Sequence, residues 1–301
     1  MPRHEWAELP AGVRAAIEFR TGPVVSALSS PAGRNSELSV RVSTRDGQVL
    51  FCKGVRIAEE ERARMHRHEA RIAPYLPRIA PALLWSIEAD GWLINGFEHV
   101  EGRFADLSPG SPDLPRLATA IDDFTAEAEA VLRHAPEDIA PSLVERWADL
   151  AAWRSLARES ASELDAWERF YLHSLISWEH MALPLVDGTA VCHADLHELN
   201  ILVGEEVRVI DWAWSRRAAP FVDLAILVTR LIAAGHTPRA AEAWAGDLRA
   251  WKRASVDAIT ACAVALLGVW EHELREEPGP QFPPLTDAAR AWVQFRVCST
   301  D

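Results

Sequence analysis

Lysine is nearly absent from this chain. Lysine and arginine together number 31, yet only Lys53 and Lys252 are lysines. Where Arg fills almost every basic position, a retained Lys marks a place that wants a compact ammonium on a flexible stem rather than a planar fork. Long apolar runs are lacking too. The longest, residues 258–270, is too short to cross a bilayer and contains Thr260, so no membrane partner is expected. The cysteines at 52, 192, 262 and 298 have no metal-ligand spacing, and Cys52 and Cys192 lie in apolar text, where a thiol behaves as a small hydrophobe. The opening Met1-Pro-Arg-His-Glu-Trp is polar and does not read as a secretion signal, so a reduced, cytoplasmic protein is expected. Positive charge is in deficit. A net charge of −13 argues against a nucleic-acid partner held by a basic face. It suits either the steering of a cationic small molecule or plain solubility. Repeats and low-complexity tracts are absent.

What is there is an ordinary globular balance over 301 residues, 49% hydrophobic and 25% charged, enough for two lobes. Residues 9–20 read as a short helix with Leu9, Val13 and Ile17 on one face. Strands follow at 24–28, at Leu38/Val40/Val42 and at Val49/Phe51/Lys53, the last two joined by an Asp46-Gly47 turn. Lys53 is expected at the end of the third strand. Residues 58–73 read as a charged helix whose inward face carries Met65, Glu69 and Ile72. A carboxylate on an apolar face wants a cation, and Lys53 is the candidate. Two more strands, 82–87 and 92–97, flank an Ala89-Asp90-Gly91 turn. The expectation is a five-stranded antiparallel sheet with one helix packed on it. Beyond Gly102 the text turns helical. Residues 116–133 and 142–181 read as helices, 221–234 as a buried helix closed by Gly235, and 253–275 as a long helix. Thr286 is expected to cap a last helix. Glu271, Glu273, Glu276 and Glu277 read as a solvated helix end, with a grip on a cationic substrate as the alternative.

The most informative stretch is Cys192–Leu224, C-H-A-D-L-H-E-L-N-I-L-V-G-E-E-V-R-V-I-D-W-A-W-S-R-R-A-A-P-F-V-D-L. Two apolar runs flank Gly204-Glu205-Glu206, a hairpin signal that brings Asp195, Asn200 and Asp211 towards one place. A carboxylate and an amide beside a further carboxylate suit Mg2+, a hard cation that leaves positions open for phosphate and water.

His193-x-Asp195-x4-Asn200, followed by an apolar-flanked Asp211, resembles the catalytic and metal loops of the protein-kinase-like fold, and the wording H-A-D-L-H-E-L-N-I-L-V with V-I-D-W is similar to the aminoglycoside phosphotransferase and choline kinase family. Where that family usually has Pro or Gly between Asp195 and Asn200, this chain has Glu198 and Leu199. The resemblance implies an α+β bilobal fold, with a nucleotide-binding N-lobe over residues 1–99 and a mostly helical C-lobe over 100–301. It also implies transfer of the γ-phosphoryl group of ATP, or of GTP, to a hydroxyl of a small molecule. In that scheme Asp195 takes the proton of the acceptor hydroxyl, Asn200 and Asp211 hold Mg2+, and His193 braces the loop that Asp223 ties down. Lys53, held by Glu69, grips the α/β-phosphates. Ser30, Gly33 and Asn35 lie in the phosphate-covering loop, and the backbone around Glu98 and Val100 meets the adenine. The implied acceptor is an antibiotic of aminoglycoside, peptide or nucleoside type, in resistance or self-protection. The alternatives are a metabolite such as choline, a sugar or a nucleoside, a protein kinase, or a non-catalytic pseudokinase. Eleven residues between Asp211 and Asp223, with no A-P-E after them, leave no room for a peptide platform. A monomer or a homodimer fits equally.

Overall fold

The chain is described here from a computed structural model covering residues 3–30, 35–276 and 279–298. In chain order the elements are α1 (Ala11–Thr21), β1 (Val24–Ser29), β2 (Leu38–Thr44), β3 (Val49–Arg56), α2 (Glu60–Ile72), β4 (Leu83–Ala89), β5 (Trp92–Glu98), β6 (Arg103–Phe104), α3 (Asp113–His134), α4 (Leu143–Leu150), α5 (Ala152–Glu159), α6 (Ala166–Val186), β7 (Ala190–Cys192), β8 (Ile201–Val203), β9 (Val207–Val209), β10 (Arg216–Ala218), α7 (Val222–Ala233), α8 (Pro238–Gly246), α9 (Arg249–Arg253), α10 (Val256–Glu276) and α11 (Phe282–Cys298). They fall into two compact units, Met1–Phe104 with Leu199–Trp214, and Ala105–Glu198 with Ser215–Asp301. This division differs from a single cut after residue 99, because the β8–β9 hairpin groups with the first unit. No helix among the described residues is long and apolar enough to cross a membrane.

The first unit holds the expected five-stranded antiparallel sheet, in the order β1-β2-β3-β5-β4. Its hairpins close where the chain can turn left-handed: Gly47 has φ +86°, while Asp90 and Gly91 have φ +44° and +78°, both central residues of the turn being positive. Alternation then separates the two faces. Leu38, Val40, Val42, Leu50, Cys52 and Ile94 bury one face together with Leu9, Val13 and Ile17 of the α1 segment. Burying such side chains contributes about 1.5–3 kcal/mol each. The opposite face carries a polar row across four strands, Ser39, Lys53, Asn95 and Ser86, in register. Ser86 donates to Asn95 Oδ1 (2.7 Å), and the Asn95 amide donates to the His66 carbonyl of α2 (2.9 Å). Lys53 therefore sits inside β3, which runs on to Arg56, rather than at its end. The buried face of α2 is Ala63, His66, Glu69 and Ile72, with Met65 only half-buried.

A second sheet in this unit, β6-β8-β9, is also antiparallel. Gly204 stands at its hairpin turn because the Glu101 carbonyl passes so close that a Cβ would lie 2.4 Å from it. Arg208 of β9 donates to the Ala80 carbonyl (2.9 Å) and meets the Glu98 carboxylate, which fastens the hairpin to the end of β5.

The second unit is helical around α10, which packs against α5, α6, α7 and α11. Trp153 is fully buried and donates from its indole to the Val264 carbonyl (2.9 Å). A short antiparallel pair, β7–β10, opposes Cys192 to Arg216. The expected helix 142–181 is three helices. Ala151 breaks it in left-handed backbone (φ 41°, ψ 53°), and Asp165 starts α6 with a reciprocal capping box to Glu168. Thr286 lies inside α11, its hydroxyl bonded back to the Phe282 carbonyl, and caps nothing. Glu271 is buried rather than solvated: it meets Arg275 (2.7 Å) and Arg290 (2.6 Å), which also engage buried Glu168. Glu277 lies outside the described residues.

Candidate active site

Within the first unit the polar face of the sheet builds one centre. Strand alternation puts Leu50 and Cys52 in the α1 core and turns Lys53 to the other side, under α2. Lys53 Nζ lies 2.6 Å from Glu69 Oε2 and 2.9 Å from Asp211 Oδ1. The second oxygen of Glu69 accepts the Trp212 N–H (3.1 Å). One helical carboxylate thus fixes both the lysine and the chain that follows Asp211. Burial pulls the Lys53 ammonium down, but Asp211 and Glu69 outweigh it and hold the pKa above the ordinary lysine value. Burial pushes the Glu69 carboxyl up to about 6 against the opposing pull of Lys53. Asp211 has φ +65°, a conformation that costs a non-glycine residue on the order of 1–3 kcal/mol. The Ile210 N–H donates to the Asn200 carbonyl (2.9 Å), so Asn200 and the residue before Asp211 are joined across the hairpin base.

The loop between β1 and β2 reaches α2 through its last residues. His66 Nε2 is 3.2 Å from the Ser36 hydroxyl and 3.3 Å from the Asn35 carbonyl. Ser30 donates its N–H to the Ser39 carbonyl (2.8 Å). Gly33 lies outside the described residues. Glu98 ends β5 with its side chain on Arg208, and Val100 follows in irregular backbone.

The second unit builds a different centre where β7 runs out. Asp223 stands in the first turn of α7, a position that favours an anion. Its carboxylate, 1% exposed, accepts the N–H groups of His193 (2.7 Å) and Ala194 (2.9 Å). Burial raises its pKa to about 6, with the two N–H donors pulling the other way. Ala194 is held at φ +63°. His193 is fully buried, and its Nδ1 accepts the Asp195 N–H (3.3 Å), which leaves the ring proton on Nε2. The loop is thereby tied from both sides, and the Asp195 side chain stays 38% exposed. Arg230 of α7 lies 3.7 Å and His197 3.8 Å from its two oxygens. Beside it opens a cavity of about 90 Å3 lined by Trp147, Trp270, Leu143, Ile226 and Arg230 among others.

The sequence did not single out Arg230, His197 or Arg208. For Arg230 a signal existed: after Asp223 it is the one charged residue in the apolar run 221–234. A charge retained on a buried helix has a partner or a task. Trp147 and Trp153 are buried, whereas Trp167 and Trp178 are half-buried.

The donor set tests the implied metal. One carboxylate, Asp211, with Asn200 joined to the preceding residue across the hairpin base, offers hard oxygens and too few of them for a closed cage. Among the described residues no group of three or more His, Cys, Asp or Glu could hold an ion unaided. The set fits a cation that takes its remaining ligands from phosphate and water, as Mg2+ does.

A model of the phosphotransferase enzyme family matches residues 28–258. Among solved structures, the GDP complex of wild-type aminoglycoside 2'-phosphotransferase-IIIa is similar at a TM-score of 0.61 and 16% identity, over 95% of this chain and 97% of that one. The macrolide 2'-phosphotransferase of Brachybacterium faecium follows at 0.53 and 16% identity, over 92% and 96%. An amicoumacin kinase, in complex with AMP-PNP and Ca2+, aligns at 0.55 and 11% identity, over 92% and 88%. No curated protein matches in sequence. These likenesses establish the kinase-like fold, and with the family match spanning most of its length, the chain belongs to the phosphotransferase enzyme family.

Proposed function

We propose that this phosphotransferase moves the γ-phosphoryl group of ATP, with GTP as an alternative donor, to a hydroxyl of a small molecule. The observation that carries the proposal is the Lys53 ammonium held between two carboxylates on the polar face of the sheet, one buried and one half-exposed. Lys53 grips the α/β-phosphates and Glu69 keeps it aimed. Asn200 and Asp211 hold Mg2+, which offsets charge between the β- and γ-phosphates when bound. Asp195, on the loop fixed by His193 and Asp223, takes the proton of the acceptor hydroxyl as its oxygen bonds to phosphorus and ADP leaves. The loop ending at Asn35 covers the phosphates, and the backbone at Glu98 and Val100 meets the base.

The acceptor we propose is an antibiotic-type alcohol, with resistance or self-protection as the outcome. The similar structures are named for aminoglycoside, macrolide and amicoumacin substrates. Release of ADP should be measured across aminoglycosides, macrolides, nucleosides, choline-like alcohols and aromatic hydroxy acids, with the product checked by mass spectrometry. A phosphorylated product that Asp195→Asn no longer forms is the expected result. Absence of product in every class, or unchanged turnover by the variant, would refute the reading.

A further inference from the structure

We infer that the acceptor carries an apolar, commonly aromatic, body and an anionic group close to the reacting hydroxyl, and that Arg230 receives that anion. The inference deepens the proposed function and rests on Asp195 meeting the acceptor.

It stands on the cavity beside Asp195. Its apolar walls are Trp147 and Leu143 of α4, Ile226 of α7, and Leu266 and Trp270 of α10, and Asp195 and Arg230 supply polar surface beside them. Such walls gain by taking hydrocarbon or an aromatic ring out of water; they offer a sugar hydroxyl few hydrogen-bond partners, and an ammonium only the face of a Trp. Only two charged side chains line it among the described residues, Asp195 and Arg230. A polycationic acceptor needs several carboxylates, and Asp195 is already answered by Arg230 at 3.7 Å. The acidic residues of α10 do not supply them. Glu271 is buried in its pairing with Arg275 and Arg290, and Glu273 lies 4.0 Å from Arg146.

Arg230 is suited to the opposite charge. Its side chain is 15% exposed and lines the cavity. The separation of 3.7 Å from Asp195 is beyond hydrogen-bond length, so the contact between them is electrostatic rather than a locked fork. A guanidinium presents five donors in a plane and binds carboxylate or phosphate in bidentate fashion. An anion placed there sits one residue's reach from Asp195, which puts a neighbouring hydroxyl beside the base. With the anion bound, Arg230 is neutralised by substrate as well as by Asp195. The arrangement therefore discriminates by charge where the ligand's charged group lies against Arg230 and its hydroxyl against Asp195: a cation at that place faces the guanidinium.

The test uses three probes with one body and one hydroxyl, differing in charge: 3-hydroxy-3-phenylpropanoate (anion), 1-phenylpropan-1-ol (neutral) and 2-amino-1-phenylethanol (cation). Binding to the full chain is read by calorimetry and ligand-observed NMR, without nucleotide. The anion should bind at least about tenfold tighter than the cation, the size of one charge-assisted hydrogen bond. Arg230→Gln should erase that preference or reverse it, Arg230→Lys should keep part of it, and Trp147→Ala should weaken all three probes together. Equal or tighter binding of the cation to the wild-type chain overturns the inference, as does binding of no probe at millimolar concentration, or an Arg230→Gln loss that is equal for all three. ADP release with ATP and Mg2+ on the same probes separates the two levels. Phosphorylation of the cation in preference to the anion sinks this inference and leaves the phosphotransfer reading standing. Anion-selective binding with no phosphoryl transfer to any alcohol does the reverse.

Discussion

Lys53 has a task that arginine cannot take over, although arginine fills nearly every other basic position. Its ammonium meets Glu69 and Asp211 at 2.6 and 2.9 Å from within a strand, beneath a helix face filled by Ala63, His66 and Ile72. A planar fork needs width that this face does not offer. Lys53→Arg is therefore expected to lose catalytic rate by about a hundredfold or more while melting within a few degrees of wild type, and steady-state kinetics beside calorimetric melts would check both halves. Glu69→Gln should show a milder loss. His66 adds a pH dependence of stability. Burial first, and then the Lys53 charge, lower its pKa from 6.5 to about 4, with the Asn35 carbonyl, Asp211 and Glu37 opposing. The unfolded chain then binds a proton that the folded chain refuses, so stability falls as pH drops from about 6.5 to about 4, by up to about 3 kcal/mol. Glu69 and Asp223, both raised to about 6, act with the opposite sign: their contribution falls as pH rises through that window. The readout is accordingly the difference between wild type and His66→Gln. Melting curves from pH 4 to 7 should diverge towards the acid end, with the variant losing less, and parallel curves would remove His66 from the account.

Elements declared themselves in the sequence where a local rule coincided with a tertiary one. The β8–β9 hairpin has alternation, a turn and a glycine that the Glu101 backbone requires. The contact of Lys53 with Glu69 was legible because a lone carboxylate shared a helix face with apolar residues. Residues 142–181 failed for the converse reason: their composition is helical throughout, and the break at Ala151 is set by packing, with no Gly or Pro to announce it. The capping box Asp165/Glu168 was visible in sequence and marks the true start of α6. Glu271 was misjudged because its cations come from Arg275 and, 19 residues on, Arg290. The strain at Ala151 makes a prediction. An L-residue in left-handed backbone costs roughly 1–2 kcal/mol, which glycine avoids at some cost in unfolded-state entropy. Ala151→Gly should stabilise the chain by about 0.5–1 kcal/mol and raise Tm by about 1–2 °C. The buried pairs make another. Glu168 is 1% exposed and faces both Arg275 and Arg290, so Glu168→Ala leaves two guanidinium groups short of a partner and should cost on the order of 3–5 kcal/mol in a urea titration.

At the scale of the whole molecule the assigned roles divide with the chain. Lys53, Glu69, Asn200 and Asp211 belong to the first unit, and His193, Asp195, Asp223 and Arg230 to the second. The boundary between Glu198 and Leu199 falls inside the His193–Asn200 motif. A linear reading cannot find such a boundary, because what assigns residues 199–214 to the first unit is pairing with residues roughly 100 to 140 positions earlier: β8 with β6, Arg208 with the Ala80 carbonyl, and Trp212 with Glu69. That discontinuity predicts where nucleotide should be felt. A ligand that binds only the folded chain, at a hundred times its Kd, stabilises by about 2.7 kcal/mol, worth about 5 °C or more in Tm. With ATP and Mg2+, hydrogen exchange should slow in three stretches separated in sequence, β3, α2 and residues 199–214, and all three should respond together. Asp211→Asn replaces the charged oxygen with a neutral one and frees Lys53 from one of its two partners. In that variant ATP should still raise Tm, because Lys53 and Glu69 remain, but the rise should no longer depend on Mg2+. Full Mg2+ dependence in Asp211→Asn, or protection confined to β3 and α2 with residues 199–214 unmoved, would take the metal away from the hairpin and leave the lysine pair as the whole of the nucleotide site.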